Sequence, residues 1–292
     1  MIKKIFKWTG TALLGIAILL IAAFTVISYQ FRQRSDKTYH FSKHTLTIPS
    51  DSATINRGRH LILTKGCNDC HGSQLEGKVM MNDFPMGRLS ASNLTSGKGG
   101  IDQDYTTADW LTALKHGVGR NGKALLLMPS HETTQLTDKD LAAIIAYCKS
   151  LPPADHVLEH NAIGPLGKVL ASFDKIPLFA VEKIDHKKAQ ELSNPEPANQ
   201  LETGRYLAIF CTGCHRENLK GGAAIIPGSP PVPDISSSGN PGKWTEEQFK
   251  TVLRTGKTPS GHQMKSEDMP WKMTANYTDE ELSALYEFLR TK

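Results

Sequence analysis

Cysteine is scarce in this chain, and its placement leaves little scope for disulfide bonds. Only five cysteines occur among the 292 residues, and four of them form two Cys-x-x-Cys pairs. The fifth, Cys148, has no partner left for an intramolecular disulfide. It lies on the apolar stripe of a predicted helix, where a free cysteine packs as a small hydrophobic side chain. We therefore expect Cys148 in a core rather than at a reactive site.

Positive and negative groups nearly balance over most of the chain. The formal net charge is +5, and residues 1–52 alone carry seven basic and two acidic groups. Residues 53–155 have eleven basic against ten acidic groups, and residues 199–292 have eleven of each. This distribution excludes a basic face that binds nucleic acid. The positive groups instead surround an apolar segment, where anionic lipid headgroups are the expected partner.

Charge is also absent from residues 8–27. A helix of about 20 residues crosses the hydrocarbon core of a bilayer, which is about 30 Å thick. A cleaved signal peptide has a shorter apolar core and a small-x-small cleavage site, and none is evident near Ser28. A buried core helix is the other alternative, but the basic residues on both sides suit the edges of a membrane. The sequence predicts an uncleaved anchor over residues 1–30 and a stem over residues 31–52.

Two pentapeptides have the form Cys-x-x-Cys-His, namely CNDCH at residues 67–71 and CTGCH at residues 211–215. This motif attaches c-type haem, because its two thiols bond to the porphyrin vinyl groups and its histidine becomes the proximal iron ligand. A redox-active dithiol or half of a zinc site are the alternatives. Neither requires a histidine directly after the second cysteine in both places. The sequence predicts two covalently bound haem c groups.

A methionine follows each motif at a similar distance. Met128 follows His71, and Met269 follows His215, with nearly the same separation along the chain. Each methionine precedes a proline and then a predicted helix that starts with a threonine N-cap and acidic residues. Methionine is a frequent distal ligand in haem electron carriers. We therefore expect His/Met ligation at both haems.

Other residues compete for the distal positions. Met264 and Met273 flank Met269, and the matched spacing to the final helix favours Met269. His131 and His262 lie near the two proposed methionines and leave bis-histidine ligation open. The predicted haem-binding residues are Cys67, Cys70, His71, Met128, Cys211, Cys214, His215 and Met269, and the iron ligands among them are His71, Met128, His215 and Met269.

The landmarks around the motifs repeat with a period of roughly 140 residues, which is long enough for whole domains. Gly58-Arg59 and Gly204-Arg205 open the helices before the two motifs. We predict one domain over residues 53–155 and a second over residues 199–292. Residues 156–198 then form an interdomain strap and linker, with a short third domain as the alternative.

The chain resembles the class I cytochrome c domain, in the membrane-bound multihaem form that serves periplasmic alcohol and aldehyde dehydrogenases. The resemblance implies an all-α fold, with two tandem cytochrome c domains after one N-terminal transmembrane helix, and low-spin His/Met haems. The chain departs from the dehydrogenase subunits because it has two haem motifs, whereas those subunits commonly have three. In the first half the resemblance rests on residues 67–72, 87–95, 117, 122, 128–130, 136–147 and 151–153. In the second half it rests on residues 211–215, 234–236, 269–271 and the final helix.

These features predict an electron carrier and not an enzyme. It would relay single electrons between a periplasmic or quinol-linked oxidoreductase and a downstream acceptor. Expected partners are the membrane and redox proteins, namely a dehydrogenase, a quinol-linked complex or an oxidase, with no nucleic acid and no small-molecule substrate. Haem attachment on the outer face of the bacterial cytoplasmic membrane predicts a single-pass protein with periplasmic haem domains. The alternatives are a dihaem cytochrome c peroxidase-like enzyme and a fixed dihaem subunit of a terminal oxidase complex.

Overall fold

The computed structural model describes residues 2–42, 45–191, 194–225 and 228–292. Its first element is a single long helix, α1 (Ile2–Ser35). The portion Lys4–Ser35 is long and apolar enough to cross a membrane, and its apolar segment is not buried against the rest of the chain. The helix continues beyond that segment, and its Phe31 side chain is buried against the first half of the molecule.

The first half is organised around two crossing helices. Its helices are α2 (Ser52–Thr64), α3 (Cys67–His71), α4 (Thr107–His116), α5 (Ser130–Thr133) and α6 (Asp138–Ser150). Helix α2 packs closely on α6 because Gly58 has no side chain. A Cβ added there would lie 2.0 Å from the carbonyl oxygen of Ala143. Leu61, Leu141 and Ile145 fill the core beside this crossing.

A small antiparallel sheet adds to the helical fold. Strand β1 (Lys78–Asp83) pairs with β2 (Gly87–Ala91), and β2 pairs with β3 (Ala162–Ile163). The expected all-α class is confirmed for the mostly helical architecture, but these strands were not predicted. Most side chains of β1 are exposed, so the segment lacks the apolar alternation that identifies a half-buried strand.

The segment between the two predicted domains packs on the first half and on the end of α1. It contains α7 (Pro165–Ser172), a 3₁₀ turn (Ala180–Lys183) and α8 (His186–Glu191). Leu178 and Phe179 join a core with Phe31 and Val118. Arg34 of α1 pairs with Glu182 at 2.6 Å and donates a hydrogen bond to the carbonyl of Ala171 at 2.8 Å.

The second half repeats the arrangement of the first. Its helices are α9 (Gln200–His215), α10 (Asn240–Lys243), α11 (Glu246–Thr255), α12 (Trp271–Thr274) and α13 (Asp279–Leu289). Helix α9 crosses α13 at Gly204, where an added Cβ would lie 2.0 Å from the carbonyl oxygen of Ala284. The two crossings match in residue type and in distance, so the repeated landmarks of the sequence correspond to repeated packing.

Candidate haem attachment sites

The first motif forms the short helix α3, and a glycine with positive φ lies on each side of it. Gly66 (φ 70°) separates it from α2, and Gly72 (φ 88°) ends it. Cys67 packs against the apolar core, and burial raises the pKa of its thiol to about 12. Nδ1 of His71 donates to the carbonyl of Ser92 at 2.7 Å. This bond leaves the Nε2 lone pair available to a metal.

The second motif ends a continuous helix, because α9 runs through Cys211 to His215 without a break. Cys211 packs against the second core, and burial raises the pKa of its thiol to about 12. Nδ1 of His215 donates to the carbonyl of Pro233 at 2.8 Å, and burial lowers the pKa of this imidazole. Both motif histidines are therefore oriented in the same way, by a backbone carbonyl that follows the motif at a similar distance along the chain.

The two proposed distal methionines lie in matching turns. Met128 packs on the core that includes Cys67, and Met269 packs on the core that includes Cys211. In each turn the methionine carbonyl accepts a hydrogen bond from the amide two residues later, at 2.8 Å and 2.7 Å. The intervening prolines have nearly identical backbone angles, φ −78° and ψ 54° in the first half and φ −76° and ψ 59° in the second. The structure thus brings each predicted methionine to the same core as its predicted cysteine.

Four other residues compete for the two distal positions. His262 is exposed, and the carbonyl of Met264 accepts a hydrogen bond from the Trp271 indole at 3.1 Å. Met273 points toward the first half, because its sulfur would lie 3.0 Å from a Cβ added at Gly66. His131 lies on α5, with Nε2 3.9 Å from its neighbour Glu132.

The donor set fits a covalently held porphyrin better than a dithiol or zinc site. A redox-active Cys-x-x-Cys pair has a lowered thiol pKa, whereas burial raises the pKa of all four motif cysteines. In the described part of the chain, no group of three or more His, Cys, Asp or Glu side chains is arranged to hold a metal ion. The buried indole N–H of Trp110, in the same core as Met128, has no acceptor among the described residues. A haem propionate is an acceptor of the kind this donor needs.

The sequence did not predict that each motif packs against the domain that contains the other motif. Helix α5, which follows Met128, contacts α9, and α12, which follows Met269, contacts α2. A Cβ added at Gly213, inside the second motif, would lie 2.2 Å from Oε1 of Glu132. The contact between Met273 and Gly66 is its counterpart. Each motif is thus covered by the turn that carries the other half's methionine.

Two polar contacts repeat this reciprocity. His60 Nε2 of α2 lies 2.9 Å from the Glu281 carboxylate of α13. The Tyr206 hydroxyl of α9 donates to Oδ2 of Asp140 on α6 at 2.7 Å. His60 and Tyr206 each follow the repeated Gly-Arg pair, and each acid lies three residues after a helix-capping threonine. Alignment of the two halves would have shown these as equivalent positions, although not that they pair across an interface.

A family model for cytochrome c matches the chain twice, over residues 55–152 and residues 201–292. The two matches cover more than half of the chain, so the protein belongs to the cytochrome c family. It is a haem c protein, and the predicted fold class and resemblance are confirmed.

Its relatives are subunits of dehydrogenases. The chain is 26% identical over 226 residues to the fructose dehydrogenase cytochrome subunit of Gluconobacter japonicus, covering 70% of this chain and 45% of that protein. It is 24% identical over 278 residues to the alcohol dehydrogenase (quinone) cytochrome c subunit of Gluconobacter oxydans, covering 83% and 55%. It is 25% identical over 240 residues to the gluconate 2-dehydrogenase cytochrome c subunit of Pantoea cypripedii, covering 71% and 52%. The chain thus spans about half the length of each of these relatives.

Proposed function

We propose that this protein is a membrane-anchored dihaem cytochrome c that relays single electrons between an oxidoreductase and a downstream acceptor. The observation that carries the proposal is the duplication of one complete ligand environment. In each half a motif cysteine and the methionine of a matching turn pack on one core, and Nδ1 of the motif histidine donates to a backbone carbonyl. We assign one domain to residues 53–155 and the other to residues 199–292, with residues 156–198 joining them.

Each candidate haem-binding residue would have its own role. Cys67 with Cys70, and Cys211 with Cys214, would hold the two haems covalently. When bound, haem c supplies one-electron chemistry at its iron. His71 and His215 would be the proximal ligands. The methionines of the two turns, Met128 and Met269, would fill the sixth positions, so neither site would offer an open position to a substrate.

Helix α1 supports a location at a membrane. Its charge-free segment is long enough to span the hydrocarbon core, and basic residues follow it at Arg32 and Arg34. We place the haem domains on the outer face of the bacterial cytoplasmic membrane, where c-type haem is attached. The protein should remain in membranes after a high-salt wash, and a soluble protein with an N-terminus near residue 29 would contradict the anchor.

The relatives indicate the kind of partner. Their names describe cytochrome subunits of alcohol and fructose dehydrogenases, so a membrane-linked dehydrogenase is the partner class we propose for this chain. Gentle detergent extraction followed by affinity purification should recover such an oxidoreductase. Recovery of a terminal oxidase instead would assign the protein to the second alternative, a fixed oxidase subunit.

Carbon monoxide binding and hydrogen peroxide turnover distinguish the proposed carrier from a peroxidase. A carrier with two filled distal positions should not bind carbon monoxide when reduced and should not turn over hydrogen peroxide rapidly. It should still accept and release electrons with small one-electron mediators. Carbon monoxide binding at one haem of the unaltered protein, or rapid peroxide turnover, would replace the carrier by the peroxidase.

A further inference from the structure

The two halves differ in the length of chain directly before the motif. Cys67 is nine positions after Gly58, whereas Cys211 is seven positions after the equivalent Gly204. Helix α9 therefore continues into its motif, while α2 ends at Thr64 and the chain turns through Lys65 and Gly66 before α3 begins. This insertion gives the first half a lysine that has no counterpart in the second.

The Lys65 side chain is directed into the second half. Its Nζ lies 4.5 Å from the ring centroid of Phe210 and 5.6 Å from those of Tyr206 and Tyr277. These three aromatic residues all belong to the second half, and Phe210 directly precedes the motif cysteine Cys211. Lys65 is only 8% exposed. Among the described residues, none offers its Nζ a hydrogen-bond acceptor.

Lys65 also lies close to both motifs, because it is two positions before Cys67 and its Nζ lies over the ring of the residue that precedes Cys211. Its charge lowers the pKa of the Cys67 thiol, against the dominant effect of burial, and it does the same to the Cys211 thiol. Three acids face it from α5, α6 and α13, namely Glu132, Asp140 and Glu281.

Two of these acids already have other partners. Asp140 pairs with Arg57 and accepts from Tyr206, and Glu281 lies within hydrogen-bond distance of His60. Burial lowers the pKa of Lys65 to about 8, so its ammonium remains mainly protonated at pH 7. The ammonium is therefore a buried cation between the two motifs, held by aromatic faces.

We propose, on the basis of the dihaem function above, that Lys65 raises the reduction potentials of both haems through its buried positive charge. A ferric haem carries one more positive charge than a ferrous haem, so a nearby cation disfavours the oxidised state. The effect is strong in a buried site because water and salt screen it little. The Lys65 charge acts on the haem iron electrostatically and does not touch the reacting atoms. Lys65 is therefore a positioning residue and not a catalytic residue.

The stability cost of Lys65 separates this role from a structural one. A buried ammonium without a hydrogen-bond acceptor destabilises a fold. When Lys65 is replaced, Asp140 keeps its bonds to Arg57 and Tyr206, and Glu281 keeps its contact with His60. Methionine has a similar length and suits an aromatic environment. Lys65→Met should therefore leave the unfolding midpoint of the haem-loaded, full-length protein unchanged or higher. A merely structural lysine would give a lower midpoint and unchanged potentials.

The test is a spectroelectrochemical titration of haem-loaded Lys65→Met, which should shift both midpoint potentials to lower values. Lys65→Arg keeps the charge and should return both potentials toward those of the unaltered protein. Lys65→Gln supplies a second neutral side chain, so poor folding of the Met variant does not remove the test. Unchanged potentials in both neutral variants, or a shift at one haem alone, would overturn the proposal.

Lys78→Met is the matched control. Lys78 is exposed and donates to the carbonyl of Asp69 in the first motif at 3.2 Å, so it lies beside the first site and its charge is screened by solvent. Its removal should leave the second haem's potential unchanged. Failure of the proposed function would appear separately, as carbon monoxide binding by the unaltered protein. The difference in midpoint potential between the unaltered protein and Lys65→Met would still be measurable in that case.

Discussion

The proposed distal ligands Met128 and Met269 would distinguish an electron carrier from an enzyme. Replacing either by alanine removes a thioether but leaves the attachment cysteines and proximal histidines in place. Met128→Ala or Met269→Ala should retain haem, lose the sulfur-to-iron charge-transfer band of that haem and lower its potential, because a methionine ligand raises potential. Visible spectroscopy and a redox titration measure both effects.

A control for this prediction is available in the second half. Met264 lies near Met269 in the sequence, and its backbone carbonyl, which accepts from the Trp271 indole, is retained when the side chain is shortened to alanine. Met264→Ala should keep the charge-transfer bands of both haems. Loss of a band in this variant, with retention in Met269→Ala, would show that Met264 is the ligand.

Glu132 should make the stability of the protein depend on pH. Burial between the halves raises its pKa to about 7 from an ordinary value of 4.5. Its folded form therefore holds a proton more tightly than its unfolded form, so the contribution to stability is complete below pH 4.5 and is lost as pH rises through 7. The loss is on the order of 3 kcal/mol. Thermal unfolding of Glu132→Gln should show a smaller decline in stability from acid to neutral pH, and parallel profiles would contradict the assignment.

At the scale of helices, the two glycine crossings set the distance between the first and last helix of each half. An added methyl group at Gly58 or Gly204 would lie 2.0 Å from a carbonyl oxygen of the facing helix. Overpacking of this kind costs about 1 to 3 kcal/mol. Gly58→Ala and Gly204→Ala should each lower the denaturant midpoint, although alanine is the better helix former.

The control for the crossings is Glu287→Ala, which introduces the same residue at a solvent-accessible position of α13. It should have little effect on the midpoint. Equal stability of Gly204→Ala and Glu287→Ala would show that the helices can separate to admit the methyl group.

The sequence predicts the elements with local signals better than those that depend on distant contacts. Thr137 and Thr278 cap their helices as expected, and the long apolar segment is helical. Strand β1 was not predicted, because its side chains are mostly exposed and its strand conformation depends on pairing with β2. The packing of Phe179 on Phe31 of α1, with ring centroids 5.6 Å apart, joins segments that are distant in the sequence and has no local signal.

At the scale of the whole molecule, the number of complete motifs predicts the number of haems. Mass spectrometry of the denatured protein should show the added mass of two haems. A variant with both Cys211→Ala and Cys214→Ala should retain one covalent haem, because the cysteines of the first attachment site are unchanged. A gain of one haem in the unaltered protein, or complete loss of haem to acid-acetone extraction, would contradict the count.

The candidate attachment residues can be predicted from the motifs, but the packing of each motif against the opposite half cannot. It depends on residues such as Glu132, Met273 and Lys65, which look like surface or core positions when one half is considered alone. The partners of all three lie in the other half, beyond the reach of any local pattern. A sequence repeat identifies equivalent positions, whereas the docking of the repeats is decided by surface complementarity.

This docking should couple the stability of the two halves. The Tyr206 hydroxyl crosses the interface to Asp140, and it also accepts from the amide of Thr137 at 3.2 Å. Tyr206→Phe removes both bonds, at a cost of about 1 to 3 kcal/mol, and should increase hydrogen exchange in α6 as well as in α9. Tyr286→Phe is the control, because the Tyr286 hydroxyl donates to the carbonyl of Trp244 inside the second half. Exchange in that variant should rise in the second half alone. If Tyr206→Phe also left α6 unaffected, the halves would behave as independent domains, and the reciprocal contacts would contribute nothing to holding the two haem sites together.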